Sequence, residues 1–274
     1  MTLKSATRDS LFDMVGAAAS VWPFSVPANR FFRKRCPVVF YHAVWRKADP
    51  RLSLFGGVES GVLAQDLRRL ARMFDFVPLS DMLGAGADSA GRPKIAVTFD
   101  DGFDLIGGGG ADVLEAHGVR ATVFVNSDSC HYERLLWQHA LGVIKALKGE
   151  AAFLRAFNAA QGRRGLGPDI ARFGECIEAT KSWPQRLIDP VTDEIWAECG
   201  MPLMSDFLSE HRPYLDHNAL SVWRARGHEI GFHGKSHQWS RALGAEEIDS
   251  QIAAPARALM QELGLDNLPF AYPF

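Results

Sequence analysis

The stretch KIAVTFDDG, Lys94–Gly102, joins a short apolar and β-branched run to two adjacent carboxylates and a glycine. Such a run is typical of a buried strand that carries charge to the end of a sheet. Successive side chains of a strand point to opposite faces, so Asp100 and Asp101 converge only if the chain turns, which Gly102 permits. The sequence therefore predicts one site in which two carboxylates have different roles.

Segments on both sides of this strand predict an alternation of strands and helices. The apolar segments bounded by turn signals are predicted to be strands: Pro37–Val44, Arg120–Val125, His228–His233 and the beginning of one at Leu268–Phe274. The segments with apolar residues at helical spacing are predicted to be helices: Asp66–Phe74, Asp112–His117 and Leu220–Arg226. A strand, a helix and a further strand make a βαβ unit, so the pattern indicates an α/β fold with parallel strands.

The chain is predicted to form two parts, an N-terminal helical segment over residues 1–35 and one large domain over residues 36–274. Within the large domain, apolar residues of the segment 131–212 recur at helical spacing and are separated by turn signals. We predict a helical insertion there, in a loop between two strands, where it would shape the site. The run Gly107–Gly110 matches no phosphate-binding pattern and is predicted to be a flexible loop at the rim of the site.

The composition is that of a soluble globular protein, since 47% of the 274 residues are hydrophobic and 23% are charged. A formal net charge of -2 predicts that neither nucleic acid nor an anionic membrane surface is a partner. The apolar run near the N-terminus is short and has acidic neighbours, so a cytoplasmic protein without stable membrane insertion is predicted. The cysteines form no CxxC pair, which argues against a zinc-thiolate or redox site.

Two histidines, His233 and His237, lie four residues apart. This spacing brings two imidazoles to one metal ion if the backbone between them turns helically. Two histidines and one carboxylate form a known catalytic zinc set, and Asp101 could supply the carboxylate while Asp100 acts as a base. A further histidine, His42, lies near the end of a predicted strand and is either a core residue or part of the same site.

Four short motifs resemble those of one enzyme family: TFDDG at 98–102, HGKSH at 233–237, FAYPF at 270–274 and YHAV at 41–44. Together they resemble the polysaccharide deacetylases of the NodB homology type, carbohydrate esterase family 4, which include the chitooligosaccharide deacetylases. The resemblance extends from about Pro37 to the C-terminus and excludes the predicted insertion. The first two motifs are the specific ones, and the other two support them.

The resemblance implies a distorted (β/α) barrel and metal-dependent removal of N-acetyl or O-acetyl groups from sugars. Asp100 matches the general base of the family. Asp101, His233 and His237 match the ligands of its metal, which is zinc or another divalent ion such as cobalt. Phe274 matches a residue whose backbone N–H contacts the oxyanion of the tetrahedral intermediate. The residues predicted to bind substrate are His42, Tyr272 and Trp239.

Two departures from the family pattern affect the predicted activity. Ala271 stands where many members have an arginine that partners the base, so Asp100 has one fewer cationic neighbour. The chain also ends before the tryptophan motif and the general-acid histidine of the family, so we expect a C-terminally incomplete barrel. We favour a shortened product with weak or no turnover over replacement of the acid by another histidine, for which the candidates are His42, His117 and His228.

The predicted function is metal-dependent hydrolysis of acetyl groups on an acetylated oligosaccharide or polysaccharide. Two alternatives stay open: a catalytically weak or silent protein that binds metal or glycan, and a metal-dependent hydrolase of a non-sugar amide or imide. Acetate release from acetylated chitooligosaccharides distinguishes the prediction from the first alternative, and hydrolysis of cyclic imides identifies the second.

Overall fold

A parallel sheet lies at the centre of this computed structural model, which describes residues 37–46, 57–84 and 91–273. The strands are β1 (Val38–Tyr41), β2 (Val44–Trp45), β3 (Val58–Glu59), β4 (Asp75–Phe76), β5 (Lys94–Phe99), β6 (Thr122–Val125) and β7 (Glu229–Phe232). The main sheet has the order β1, β5, β6, β7, with β4 paired to β5, and β2 and β3 form a separate pair. The predicted α/β class is confirmed, whereas the predictions for residues 1–35 and for Phe274 lie outside the described residues.

The register of the sheet brings the carboxyl ends of its main strands together. Tyr41 pairs with Phe99, Phe99 with Val123, and Val125 with Phe232. The segments that follow these parallel strands therefore lie at one edge of the sheet, which is where ligands bind in open α/β folds.

Twelve α-helices are assigned among the described residues. They are α1 (Ser60–Leu70), α2 (Leu79–Gly84), α3 (Gly110–Ala116), α4 (Ser127–Cys130), α5 (Trp137–Lys148), α6 (Glu150–Arg163), α7 (Cys176–Thr180), α8 (Gln185–Glu198), α9 (Met204–His211), α10 (His217–Ala225), α11 (Ala245–Ile248) and α12 (Ala254–Leu263). None of the helices in this described part of the chain has both the length and the apolar character needed to cross a bilayer.

The buried apolar side chains form two main cores. One core packs the sheet against α1, α3 and α10 and includes Phe99 and Trp223. The other lies among α5 to α9, which fall within the segment 131–212, and includes Trp137. Phe103 and Tyr214 belong to this helical core and form an isolated bridge with each other just after β5. The helices α5 to α9 therefore pack next to the carboxyl end of the sheet, where β5 ends.

Several predicted elements differ from the observed ones. β1 ends at Tyr41, one residue before His42, and the chain then enters β2, which pairs with β3 and not with the main sheet. In the described part of the predicted strand at Leu268–Phe274, the structure has one isolated parallel bridge, between Phe270 and Phe232. β4 has no counterpart in the sequence prediction, because a two-residue strand carries no periodic signal.

The glycine run is packed structure. Gly110 begins α3, and a Cβ atom on Gly108 would lie 2.0 Å from the carbonyl oxygen of Val44. No side chain fits at that distance, so glycine allows this segment to pack against β2. Residues 107–109 form the predicted loop, Gly110 already belongs to α3, and the predicted flexibility of the loop stays a prediction.

Candidate metal centre

Asp101 occupies a tight turn directly after β5. Its φ is 69° and that of Gly102 is 68°, so the chain turns through two successive left-handed residues. Non-glycine residues rarely adopt this conformation, and those that do often lie at functional sites. Asp101 is 3% exposed, while Asp100 is half-buried. The two carboxylates have different environments because the backbone turns at Asp101 as well as at Gly102.

The two histidines lie on the segment 233–239 after β7, here termed the histidine loop. Asn126 fixes its start, because Asn126 Nδ2 donates hydrogen bonds to the carbonyl oxygens of His233 at 2.6 Å and Gly234 at 3.1 Å. Gly234 and His237 have φ values of 84° and 58°. The backbone between the histidines is not helical, and a loop with two left-handed residues brings their imidazoles to a centroid distance of 4.9 Å.

Asp101, His233 and His237 form a buried group. One ligand atom of each residue lies within 4.8 Å of those of the other two. Asp101 Oδ1 is 3.1 Å from His237 Nε2 and 3.6 Å from His233 Nε2. A carboxylate oxygen and two imidazole nitrogens are a set that catalytic zinc uses, with a coordination position left open.

The protonation of His233 supports a cation at this group. Its Nδ1–H donates a hydrogen bond to the carbonyl oxygen of Ala271 at 2.9 Å, so Nε2 carries the lone pair of the neutral ring. Burial, and then the charge of His237, lowers the pKa of His233 to about 4. The lone pair therefore faces Asp101 Oδ1, which is buried and lies 3.6 Å from His233 Nε2. Electron pairs that face each other repel, so the residues present fit a metal ion between them.

Asp100 and His42 follow the neighbouring strands β5 and β1. The Asp100 N–H donates a hydrogen bond to the carbonyl oxygen of Tyr41 at 2.9 Å, so Asp100 lies next to the residue that follows Tyr41. Burial raises the pKa of Asp100 to about 6, and the charge of His42 opposes this shift. A carboxylate with a raised pKa is a stronger base, which suits proton transfer.

The other two histidines considered as replacements for a general acid lie elsewhere. His117 follows α3, where its Nδ1 is 2.8 Å from the carbonyl oxygen of Val113. His228 precedes β7, at the amino end of the sheet, and stacks on Trp223 with ring centroids 4.0 Å apart. Among the three candidates, only His42 lies at the carboxyl end of the sheet, where Asp100 lies.

His139, on α5, also belongs to the site, and the sequence analysis did not select it. Its Nε2 lies 3.1 Å from Asp101 Oδ2, and its side chain is 2% exposed. Burial raises the pKa of Asp101, but the charges and hydrogen bonds of His237 and His139 outweigh burial and hold that pKa well below its usual range. The sequence signal for His139 is its position in the largely apolar run LLWQHALGVI, on the buried face of a helix.

Two helices of the segment 131–212 hold the histidine loop. Trp137 Nε1 on α5 donates a hydrogen bond to the carbonyl oxygen of His237 at 2.8 Å. Gln185 Oε1 on α8 accepts a hydrogen bond from the backbone N–H of Trp239 at 2.8 Å. Both contacts reach the backbone of the loop, so its conformation depends on these helices.

Two of the predicted substrate-binding residues differ in their surroundings. Tyr272 is 72% exposed, and its ring packs edge-on against Phe270. Trp239 is half-buried, with Lys181 Nζ 5.2 Å from its ring centroid. An exposed aromatic face can stack on a sugar, whereas Trp239 is partly occupied by packing. The substrate-binding roles of both residues stay predictions.

Asp128, on α4, gives a prediction for stability near the site. Burial raises its pKa to about 7, and Lys235, whose Nζ is 4.0 Å away, opposes this shift. Because the folded state binds the proton more tightly than the unfolded state, the free energy of unfolding falls as pH rises from about 4 to about 7. We expect Asp128→Asn to be more stable than the wild type at pH 8 by about 1 to 2 kcal/mol, with the difference shrinking towards zero near pH 4. Urea denaturation at both pH values measures this, and equal stability at pH 8 would contradict it.

No protein-family model and no curated protein sequence matches this chain. Solved structures with a similar fold include the Streptococcus pyogenes deacetylase PplD in complex with acetate, at 12% identity over 87% of this chain and 73% of that chain, with a TM-score of 0.50. A de-N-acetylase from Aggregatibacter actinomycetemcomitans has 11% identity, covers 87% and 79%, and has a TM-score of 0.47. IcaB from Ammonifex degensii has 17% identity, covers 87% and 73%, and has a TM-score of 0.47. At such identities the similarity establishes the fold alone, and the chain shares the α/β fold of PplD.

Proposed function

We propose that the protein is a metal-dependent hydrolase that removes acetyl groups from an N- or O-acetylated polysaccharide or chitooligosaccharide. The observation that carries this proposal is the buried group of Asp101, His233 and His237, with a separate carboxylate, Asp100, beside it. Three ligands and an adjacent base are what hydrolysis at a metal centre requires. The fold shared with PplD, which is a deacetylase, supports the proposal.

The three ligand residues suit zinc, and cobalt accepts the same types of ligand. Asp101 Oδ1 and the Nε2 atoms of His233 and His237 would hold the ion. When bound, such an ion polarises a carbonyl oxygen and makes water more acidic.

The residues around this group divide the proton transfers between them. Asp100 accepts a proton from the water that forms a bond to the acetyl carbon. The bond between that carbon and the sugar nitrogen then breaks, the nitrogen receives a proton, and acetate and the amine leave. Although the sequence favoured loss of the general acid over its replacement, we propose His42 as the proton donor, because among the three histidines considered it is the one at the end of the sheet that carries Asp100. Tyr272 and Trp239 would contact the sugar. The backbone N–H of Phe274, outside the described residues, would contact the oxyanion.

Acetate release from acetylated chitooligosaccharides tests this function. We expect release by the zinc-loaded protein, loss of release after treatment with EDTA and dialysis, and recovery when zinc or cobalt is added. Binding of the oligosaccharide without acetate release would favour the silent metal- or glycan-binding alternative. Hydrolysis of cyclic imides without acetate release would favour the non-sugar hydrolase.

Replacing His42 with glutamine is expected to slow amide hydrolysis more than ester hydrolysis. An amine leaves only with a proton, whereas the phenolate of an aryl acetate leaves without one. We expect kcat/KM for the N-acetyl sugar to fall by about 10² to 10⁴, and kcat/KM for 4-nitrophenyl acetate to fall by less than about tenfold. The two substrates are assayed with the same zinc-loaded preparation.

His117→Gln is the matched control for this variant, because His117 lies away from the site, after α3. It should leave both rates unchanged. An equal loss on both substrates in His42→Gln would show that His42 supports the site in some way other than protonation of the leaving group.

A further inference from the structure

The two oxygens of the Asp101 carboxylate have different partners. Oδ1 faces the imidazoles of His233 and His237, while Oδ2 lies 3.1 Å from His139 Nε2. All these side chains are at most 6% exposed, so water does not supply the contact. The orientation of the carboxylate therefore depends on His139.

The hydroxyl group of Tyr214 determines which ring nitrogen of His139 carries the hydrogen. Tyr214 Oη accepts a hydrogen bond from the backbone N–H of Leu136 at 3.2 Å and lies 2.6 Å from His139 Nδ1. With Leu136 as its donor, the hydroxyl directs its own hydrogen to Nδ1, so the neutral ring carries its hydrogen on Nε2. The hydrogen bonds then run in one direction, from Leu136 through Tyr214 and His139 to Asp101 Oδ2.

Packing holds the His139 ring in this position. The ring lies between Phe103, at a centroid distance of 4.7 Å, and Tyr214, at 5.8 Å. Trp137, two residues earlier on α5, donates a hydrogen bond to the backbone of His237. One helix thus contacts both the carboxylate and the histidine loop of the candidate metal group.

We infer that His139 is a positioning residue of the metal centre, which donates a hydrogen bond to Asp101 Oδ2 and turns Oδ1 towards the ion, with Tyr214 orienting the His139 ring. This inference rests on the metal centre proposed above. Residues that orient the ligands of a metal typically contribute 10- to 100-fold in metal affinity. The effect of removing the His139 hydrogen bond on metal affinity can therefore be measured without any substrate.

Two substitutions at His139 separate the hydrogen bond from the packing. In His139→Gln the amide nitrogen takes roughly the place of Nε2 and keeps a donor, whereas His139→Met fills a similar volume without one. We expect zinc affinity of the apoprotein, measured by competition with a chromophoric chelator, to fall about 10- to 100-fold in the methionine variant and to stay within about threefold of the wild type in the glutamine variant. His228→Gln, at the opposite end of the sheet, should match the wild type.

Each outcome decides for or against the inference. Wild-type zinc affinity in His139→Met would overturn it, and so would an equal loss in the methionine and glutamine variants. If His139→Met does not fold, Tyr214→Phe decides: a loss of at least about threefold supports the inference, and no loss overturns it. The visible spectrum of the cobalt-loaded protein should be the same in His139→Gln and the wild type, and a spectrum that reports one nitrogen ligand fewer would make His139 a ligand instead. A wild type that binds no zinc would overturn the proposed function as well, which distinguishes the two failures.

Discussion

Asp101→Asn is expected to bind zinc at least about 10³-fold more weakly than the wild type and to release no measurable acetate. The amide keeps the size of the side chain but removes the negative charge that lies 3.1 Å and 3.6 Å from the two imidazole nitrogens. In a buried site, water does not replace that charge. Calorimetric titration of the apoprotein with zinc measures the affinity, and an acetate assay at saturating zinc measures the activity.

Asp128→Asn is the matched control, because it makes the same substitution at a buried carboxyl group outside the metal group. It should bind zinc as the wild type does. If Asp101→Asn folds and also binds zinc with wild-type affinity, the proposed metal centre is wrong.

Asp100→Asn is expected to keep its zinc and to lose about 10² to 10⁴ in kcat. Asp100 is outside the group of three ligand atoms, and an amide at this position cannot accept the proton of the attacking water. A measurement of kcat on an N-acetylated oligosaccharide, together with the zinc content of the same preparation, shows both effects. The half-buried position of Asp100 makes misfolding of this variant less of a concern than it is for Asp101.

The result for Asp100→Asn distinguishes a base from a ligand. A wild-type kcat would exclude Asp100 as the base. A loss of zinc together with kcat would place Asp100 in the coordination sphere. If Asp100→Asn retains zinc but has a low kcat, while Asp101→Asn is zinc-free and inactive, the two neighbouring carboxylates have different roles.

The strand β5, which leads into Asp100 and Asp101, was predictable because the pattern that indicates it lies within neighbouring residues. The apolar run of β5 and its end at the first carboxylate lie next to each other in the chain, and the observed strand Lys94–Phe99 follows that pattern. The pair of histidines was likewise visible from its spacing, although the loop that carries it is not helical. Their roles as ligands stay predictions that the zinc titrations test.

The contribution of α5 was not predictable in the same way. His139 is a polar residue on the buried face of its helix, and such residues often have their hydrogen-bond partners within a core. Its partner Asp101 is 38 positions away, and its second partner, Tyr214, is 75 positions away. No pattern within a single element indicates either contact.

The sequence by itself determined the types of element and the chemistry available at their ends, because these depend on neighbouring residues and their periodicity. The tertiary structure decided which of those side chains meet. It placed Asp101 in a left-handed turn, shaped the histidine loop with Gly234 and His237, and brought His139 from a distant helix to the carboxylate. These arrangements depend on packing between distant segments, which supports the unfavourable backbone conformations and buried polar contacts that local preferences alone would disfavour.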